Sequence, residues 1–158
     1  LGVMSLFKDP NIIIQDKYLL IKDDASKSVK YMFTDPSSIV SPKPNQQVRM
    51  SEELLNVKIT GEQLNDVLRA ASLLKHTDIS LIGREGDLTL TANDASGKNR
   101  DTYDIFLANT DETFKLNFKV ENLKMLPGDY DVSITKGILH WKGDRIEYYT
   151  GAEANSTF

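Results

Sequence analysis

The chain contains no cysteine, which removes disulfide frameworks, thiolate metal sites and cysteine nucleophiles together. Histidine is nearly as scarce: His76 and His140 stand alone and leave too little for a zinc site. Long hydrophobic runs are missing as well. The longest, Ile12 to Ile14 and Tyr18 to Ile21, fall far short of the roughly 18 to 20 apolar residues a membrane helix needs, so an unanchored, soluble protein is expected. One Trp and scattered Tyr offer no clustered aromatic platform of the kind a sugar-binding β-sandwich presents. No Ser/His/Asp set, phosphate loop or paired-carboxylate motif is visible. Gly83-Arg84-Glu85-Gly86 is a hairpin turn, too short for a phosphate loop, and Asp23-Asp24 reads as a solvated turn. No catalytic residue, metal or cofactor is expected, and the chain does not read as an enzyme.

What remains is an ordinary globular composition: 158 residues, 40% hydrophobic and 27% charged, enough to build a core. The 19 Lys and Arg against 23 Asp and Glu leave a net charge of −4. That total argues against a protein that coats nucleic acid with its whole surface, but it leaves a local basic face open. The first residues, Leu1-Gly2-Val3-Met4-Ser5-Leu6-Phe7, lack an initiator methionine and read as the middle of an apolar helical segment, so a fragment is expected.

Alternating apolar and polar residues predict mainly antiparallel strands over 11–15, 17–22, 27–33, 53–59, 78–83, 87–93, 102–108, 113–119, 129–135, 138–142 and 145–150. Gly83 to Gly86, Lys136-Gly137 and Gly143-Asp144 supply turns between them. One helix is explicit. Thr60-Gly61-Glu62-Gln63 is a capping box, and Leu64, Val67, Leu68, Ala71 and Leu74 follow at helical spacing. A shorter helix is expected over Glu121 to Leu126, stopped by Pro127-Gly128, and Leu1 to Phe7 as the remnant of a third. Between Thr34 and Gln47, three of the five prolines (Pro36, Pro42, Pro44) and three serines mark an extended, semi-rigid linker.

The chain also repeats itself. Asp78-Ile79-Ser80-Leu81 and Asp131-Val132-Ser133-Ile134 match in character, with Asn11-Ile12-Ile13-Ile14 a weaker third copy. Each follows an apolar helical segment and precedes a hairpin. In the second and third copies a strand also comes before the helix, giving strand-helix-strand-strand-strand twice. The fold class is therefore α+β, with antiparallel sheets backing helices.

Such repeated units are the plan of DNA sliding clamps, and the sequence resembles the sliding clamp of large tailed bacteriophages, the DNA polymerase processivity factor. The likeness rests on Leu123-Lys124-Met125-Leu126-Pro127-Gly128-Asp129-Tyr130, the tail Glu153 to Phe158, the linker Asp35 to Pro42 and the capped helix around Leu64 to Arg69. It implies the DNA clamp fold, with 1–33 as the C-terminal part of a truncated first domain, 34–48 as the interdomain connector and 49–158 as a complete second domain.

The same resemblance implies a ring subunit that encircles duplex DNA without reading its sequence and tethers the replicative polymerase in phage DNA replication. It implies a homotrimer, a clamp loader as partner, and work in the cytoplasm of the infected bacterial host. Its helices would line the hole and present Arg69, Lys75, Lys124 and Lys8 to phosphates. Thr77 to Glu112, by contrast, carries eight acidic against three basic residues, a net −5. Without the resemblance, Arg69 and Lys75 read as a solvated helix face.

Ring closure would use the edges at Lys27 to Phe33, with Tyr31 and Phe33, and at Thr102 to Ala108, with Tyr103 and Ile105; the alternative role of these side chains is packing within their own domains. Ile39, Val40 and Pro42, with Tyr149, Gly151 and Ala152, are candidates for a pocket that takes client peptides. Ile39 and Val40 alternatively pin the linker. The competing function is a β-rich virion module, a baseplate or fibre domain with no DNA role, which would share the hairpins but has no need of the capped helix.

Overall fold

The computed structural model describes residues 2–23, 26–39 and 48–158. The chain divides into two units, Leu1–Gln47 and Val48–Phe158.

In the first unit, β-branched and aromatic residues build three short strands, β1 (Asn11–Ile14), β2 (Tyr18–Lys22) and β3 (Ser28–Met32), in an antiparallel sheet of that order. Ile21 faces Val29 and Leu19 faces Tyr31 across the β2–β3 ladder. Among the described residues of this unit, Phe7 and Ile21 are buried. The apolar opening segment forms a 3-10 turn over Gly2–Leu6 in place of the expected helix. A second 3-10 turn, Pro36–Ser38, is capped by Asp35, whose Oδ1 accepts from the Ser37 N–H at 2.8 Å and its hydroxyl at 2.7 Å.

The second unit runs β4 (Glu53–Ile59), α1 (Gly61–Leu74), β5 (Asp78–Arg84), β6 (Asp87–Asn93), β7 (Tyr103–Asn109), then β8 (Phe114–Lys119), a 3-10 turn at Val120–Leu123, β9 (Tyr130–Thr135), β10 (Ile138–Lys142) and β11 (Glu147–Gly151). It is strand-helix-strand-strand-strand twice over. The two halves exchange their first strands: one sheet has the order β7-β6-β5-β8, the other β11-β10-β9-β4. Each sheet therefore needs a strand from the other half, so neither half completes a sheet alone.

The exchange has a signature in side chains. On β4 the run is Leu55-Asn56-Val57-Lys58-Ile59, and on β8 with its next residue Leu116-Asn117-Phe118-Lys119-Val120. Asn56 pairs with Ser133 and Asn117 with Ser80, directly opposite in the two ladders. Both pairs are hydrogen-bonded: Asn56 Nδ2 donates to Ser133 Oγ at 3.0 Å, and Ser80 Oγ donates to Asn117 Oδ1 at 2.6 Å.

The surroundings of the two pairs differ. The tail crosses to β8, where Glu153 N–H donates to the Asn117 carbonyl and Thr157 N–H to the Lys115 carbonyl, each at 2.8 Å. Asn117 Nδ2 reaches the Asn155 carbonyl at 3.0 Å. Asn117 and Ser80 are thereby buried, whereas Asn56 stays exposed.

The capping box of α1 is formed in both directions, with Gln63 N–H donating to Thr60 Oγ1 at 3.2 Å and Thr60 N–H to Gln63 Oε1 at 2.9 Å. A helix of 14 residues is marginal by itself. Leu64, Val67 and Ala71 hold it by packing into a core shared with Ile59, Ile79, Leu81, Leu90, Phe118, Leu123, Val132, Ile134 and Trp141. Each large side chain so buried contributes roughly 1.5–3 kcal/mol.

Gly61 starts the helix because a Cβ there would stand 3.0 Å from the Gly128 carbonyl oxygen. Next to that contact, Asp129 Oδ1 accepts the Gly61 N–H at 2.9 Å. The Glu121 to Leu126 segment forms no α-helix, contrary to expectation: a 3-10 turn spans Val120–Leu123, with Lys124 following it. Pro127 biases Leu126 away from helical backbone, leaving too few residues to nucleate an α-helix.

Candidate functional site

Helix α1 packs on β5, β6 and β7, and the Val120–Leu123 turn lies against α1 and the end of β8. Arg69, Lys75 and Lys124 all project from this helical layer, and all three are exposed. Arg69 lies on the flank of α1 that faces β7. Lys75 caps the C-terminus of α1, and Lys124 lies beyond the 3-10 turn beside His76 and Thr77. Lys8 belongs to the first unit and is exposed just after its buried Phe7.

Lys75 adopts the left-handed conformation, φ 59° and ψ 34°, unusual for a residue with a Cβ. The turn is held by His76 N–H donating to the Ala71 carbonyl at 2.8 Å. A further lysine near the layer, Lys119, is already engaged: its Nζ lies 2.6 Å from Oδ1 of the buried Asp78. Burial pushes the Asp78 carboxyl up, but hydrogen bonds from Lys119 and Thr77 outweigh it, and the group ends below the ordinary carboxylate value. The same contact raises the Lys119 ammonium.

The acidic segment is organised differently. Asp94 Oδ1 accepts from the Ser96 hydroxyl at 2.6 Å and N–H at 2.8 Å, and Oδ2 from the Asn99 N–H at 2.9 Å. These bonds hold its carboxyl down to about 2. Among the described residues, no three His, Asp or Glu side chains come together to hold a metal, and no helix is long and apolar enough to cross a membrane.

Both strands expected at ring edges are outermost in their sheets: β3 in the first unit and β7 in the second. On β3 and just after it, Tyr31 (42%), Met32 (63%) and Phe33 (49%) are exposed. On β7, Tyr103 is exposed and Ile105 packs partly against the core. Phe106, which the sequence pattern did not single out, is 54% exposed on the polar face of β7; an aromatic among the polar positions of an edge strand was the available signal. Leu73 is likewise exposed, off the apolar stripe of α1.

The residues expected to form a peptide pocket fall in separate units. Ile39 is exposed at the end of the Pro36–Ser38 turn, whereas Val40 and Pro42 lie outside the described residues. Tyr149 is exposed on β11 and stacks on His140 with ring centroids 4.5 Å apart; His140 Nε2 lies 3.0 Å from Glu147 Oε2. Gly151 ends β11, and Ala152 N–H donates to the Gly137 carbonyl at 2.7 Å.

Residues 56–154 match the family model described as gp45 sliding clamp, C terminal. The chain belongs to the gp45 sliding clamp family. A sliding clamp of Vibrio phage KVP40 is 29% identical over 162 residues, which take in 98% of this chain and 72% of that relative.

Solved clamps share the fold at lower identity. An A. fulgidus PCNA bound to the C-terminal region of FEN-1 aligns with a TM-score of 0.55 at 13% identity, over 91% of this chain and 63% of that one. A putative DNA polymerase III beta subunit from Eubacterium rectale aligns at 0.54 and 16%, over 92% of this chain and 41% of that one. PCNA from Entamoeba histolytica aligns at 0.52 and 12%, over 96% and 68%. The chain thus spans less than two thirds of the first two of these structures. The gp45 clamps are DNA polymerase processivity factors of phage replication, and the α+β clamp fold with its exchanged repeat is the one this chain adopts. Membership excludes the virion-module reading.

Proposed function

We propose that this chain serves as a subunit of a homotrimeric ring that encircles duplex DNA and tethers the replicative polymerase. The single observation that carries this reading is the distribution of charge within one unit. Arg69, Lys75 and Lys124 stand exposed on the helical layer, while strands and loops between Thr77 and Glu112 carry a net −5. A basic layer grips phosphates without reading bases, and screening by salt keeps the grip loose enough to slide. Lys8, exposed in the first unit, is assigned the same role towards phosphates. The chain works without catalysis of its own, by topology and electrostatics, in the cytoplasm of the infected bacterial host, with a clamp loader to open the ring.

Ring closure joins the edge at β3, with Tyr31 and Phe33, to the edge at β7, with Tyr103 and Ile105, in a neighbouring copy. Unpaired edges carrying exposed aromatics support this, since a free edge invites a strand from another chain and a head-to-tail contact that closes gives a cyclic oligomer. Residues 1–33 then belong to a first clamp domain, 34–48 to the connector and 49–158 to the second domain. Ile39, Val40 and Pro42 of the connector, and separately Tyr149 of the second unit, are assigned to contacts with the apolar peptide of the polymerase. The exposure of Ile39, and that of Tyr149 on top of the half-buried His140, supports that assignment.

The experiment is the salt dependence of duplex binding by the wild type and by Arg69→Ala, Lys75→Ala and Lys124→Ala. Each substitution is expected to reduce the slope of log K against log salt by about 0.9. Slopes unchanged by all three remove these residues from the DNA face.

A further inference from the structure

On β10, Leu139 and Trp141 are buried, so His140 and Lys142 lie on the opposite, outer face of the sheet β11-β10-β9-β4. Directly opposite residues share a face, which sets two rows across the strands. One row runs Tyr149, His140, Ser133, Asn56, and the next runs Glu147, Lys142, Asp131, Lys58. Glu147 thus stands opposite Lys142, yet its carboxylate reaches diagonally to His140, with Oε2 3.0 Å from Nε2. An ionised carboxylate only accepts, so Nε2 carries a hydrogen, and a further proton taken up by the ring goes to Nδ1.

Against the face of the same imidazole lies the Tyr149 ring, parallel to within 3° and with centroids 4.5 Å apart. Tyr149 is 45% exposed, and the half-buried His140 supports it from beneath. A side chain this exposed has rotamer freedom to lose when a partner binds, and a ring already held flat loses less of it.

Charge on the imidazole strengthens both contacts. A cationic ring donates to Glu147 as an ion pair and is attracted to the face of Tyr149 as a cation to a π-system. The charged groups that share this face are Glu147 and Asp131 against Lys142 and Lys58, two of each sign, and Lys58 is itself paired with Asp129 at 3.3 Å. Glu147, the one in contact with His140, favours the charged ring. Histidine is the side chain whose charge ordinarily changes between pH of about 5 and about 8.

We propose that His140 is a positioning residue for the polymerase contact: with Glu147 it holds the Tyr149 ring flat as a preformed platform for the apolar peptide, more firmly when the imidazole is charged. The proposal rests on the assignment of Tyr149 to that peptide. The polymerase is held more tightly as pH falls from about 8 to about 6. The gain is bounded by what an exposed ion pair and one ordered side chain are worth, about two- to fivefold in Kd.

The test is the affinity of the protein that carries this chain for the immobilised replicative polymerase of the same phage, at pH of about 8 and about 6. Wild type, His140→Gln, Glu147→Gln and Tyr149→Ala are compared, with thermal melts at both pH values to check folding. Histidines of the polymerase act equally on every variant, so each is read as a ratio to wild type. His140→Gln is expected to lose the gain of about two- to fivefold on acidification, and Glu147→Gln to lose most of it. Both variants act on the same bond, so either one carries the comparison. An equal gain in wild type and His140→Gln, while Tyr149→Ala weakens binding, overturns the role of His140 and leaves the Tyr149 contact standing. Full affinity in Tyr149→Ala overturns the contact itself, and the role of His140 with it.

Discussion

Replacing Lys75 separates two effects that meet in one residue. Its backbone sits at φ 59°, ψ 34° at the end of α1, where the His76 and Lys75 N–H groups turn back to the Ala71 and Ser72 carbonyls at 2.8 and 3.3 Å. For a residue with a Cβ this conformation costs about 1–2 kcal/mol, and glycine avoids it. The extra freedom of glycine in the unfolded chain offsets about 0.4–1 kcal/mol. Lys75→Gly and Lys75→Ala delete the same charge, but only glycine relieves the backbone. The glycine variant is therefore expected to be the more stable by about 1 kcal/mol, a melting difference of about 4 °C for a unit of this size. Both variants should lose the same increment, about 0.9, from the salt slope of duplex binding. Calorimetry and fluorescence titration of a labelled duplex read the two effects separately. Equal melting of the glycine and alanine variants refutes the backbone account, and an unchanged salt slope in both refutes the DNA-facing role.

Acid should destabilise the fold through Asp78, Asp94 and Asp129, whose carboxyls all lie below their ordinary value when folded, Asp94 at about 2. A depressed folded value gives stability that is complete above the unfolded value near 3.9 and is lost as pH falls through the folded one. The melting temperature should accordingly drop between pH of about 4 and about 2, less steeply in Asp78→Asn; parallel profiles for variant and wild type would contradict this. Asn117→Ala leaves the buried Ser80 with Asn93 as its remaining partner and releases Asn155, at a cost of about 0.5–1.5 kcal/mol per hydrogen bond lost, and amide exchange should accelerate at Glu153 and Thr157. Gly83→Ala drives a Cβ to 2.5 Å from the Glu112 carbonyl oxygen, so the turn into β8 must shift, and a melting loss comparable to overpacking, about 1–3 kcal/mol, is expected in a thermal scan.

Local signals in the sequence were strong wherever backbone chemistry is explicit. Thr60 and Gln63 announce α1, and the alternation around Ile79, Leu81, Leu88 and Leu90 announces paired strands with one face in the core. The expected helices at Glu121 to Leu126 and at the chain's start became 3-10 turns because each is short, and the first of them runs into Pro127. Strand exchange between the halves was out of reach of local patterns, since β4 pairs with β9 across more than half the unit. Its trace was nonetheless present in Leu55-Asn56-Val57-Lys58-Ile59 and Leu116-Asn117-Phe118-Lys119-Val120. Positions such as Arg69 and Lys124 could be nominated by charge and spacing, whereas Leu73 and Phe106 emerged only once exposure was known.

Retention on closed DNA tests the ring most directly. The protein that carries this chain is loaded onto nicked circular duplex, washed at a salt concentration that abolishes simple electrostatic binding, and then exposed to a single cut in the DNA. A ring that encircles the duplex stays bound through the wash and leaves after the cut, over the ends. Equal release from circular and linear DNA would contradict it.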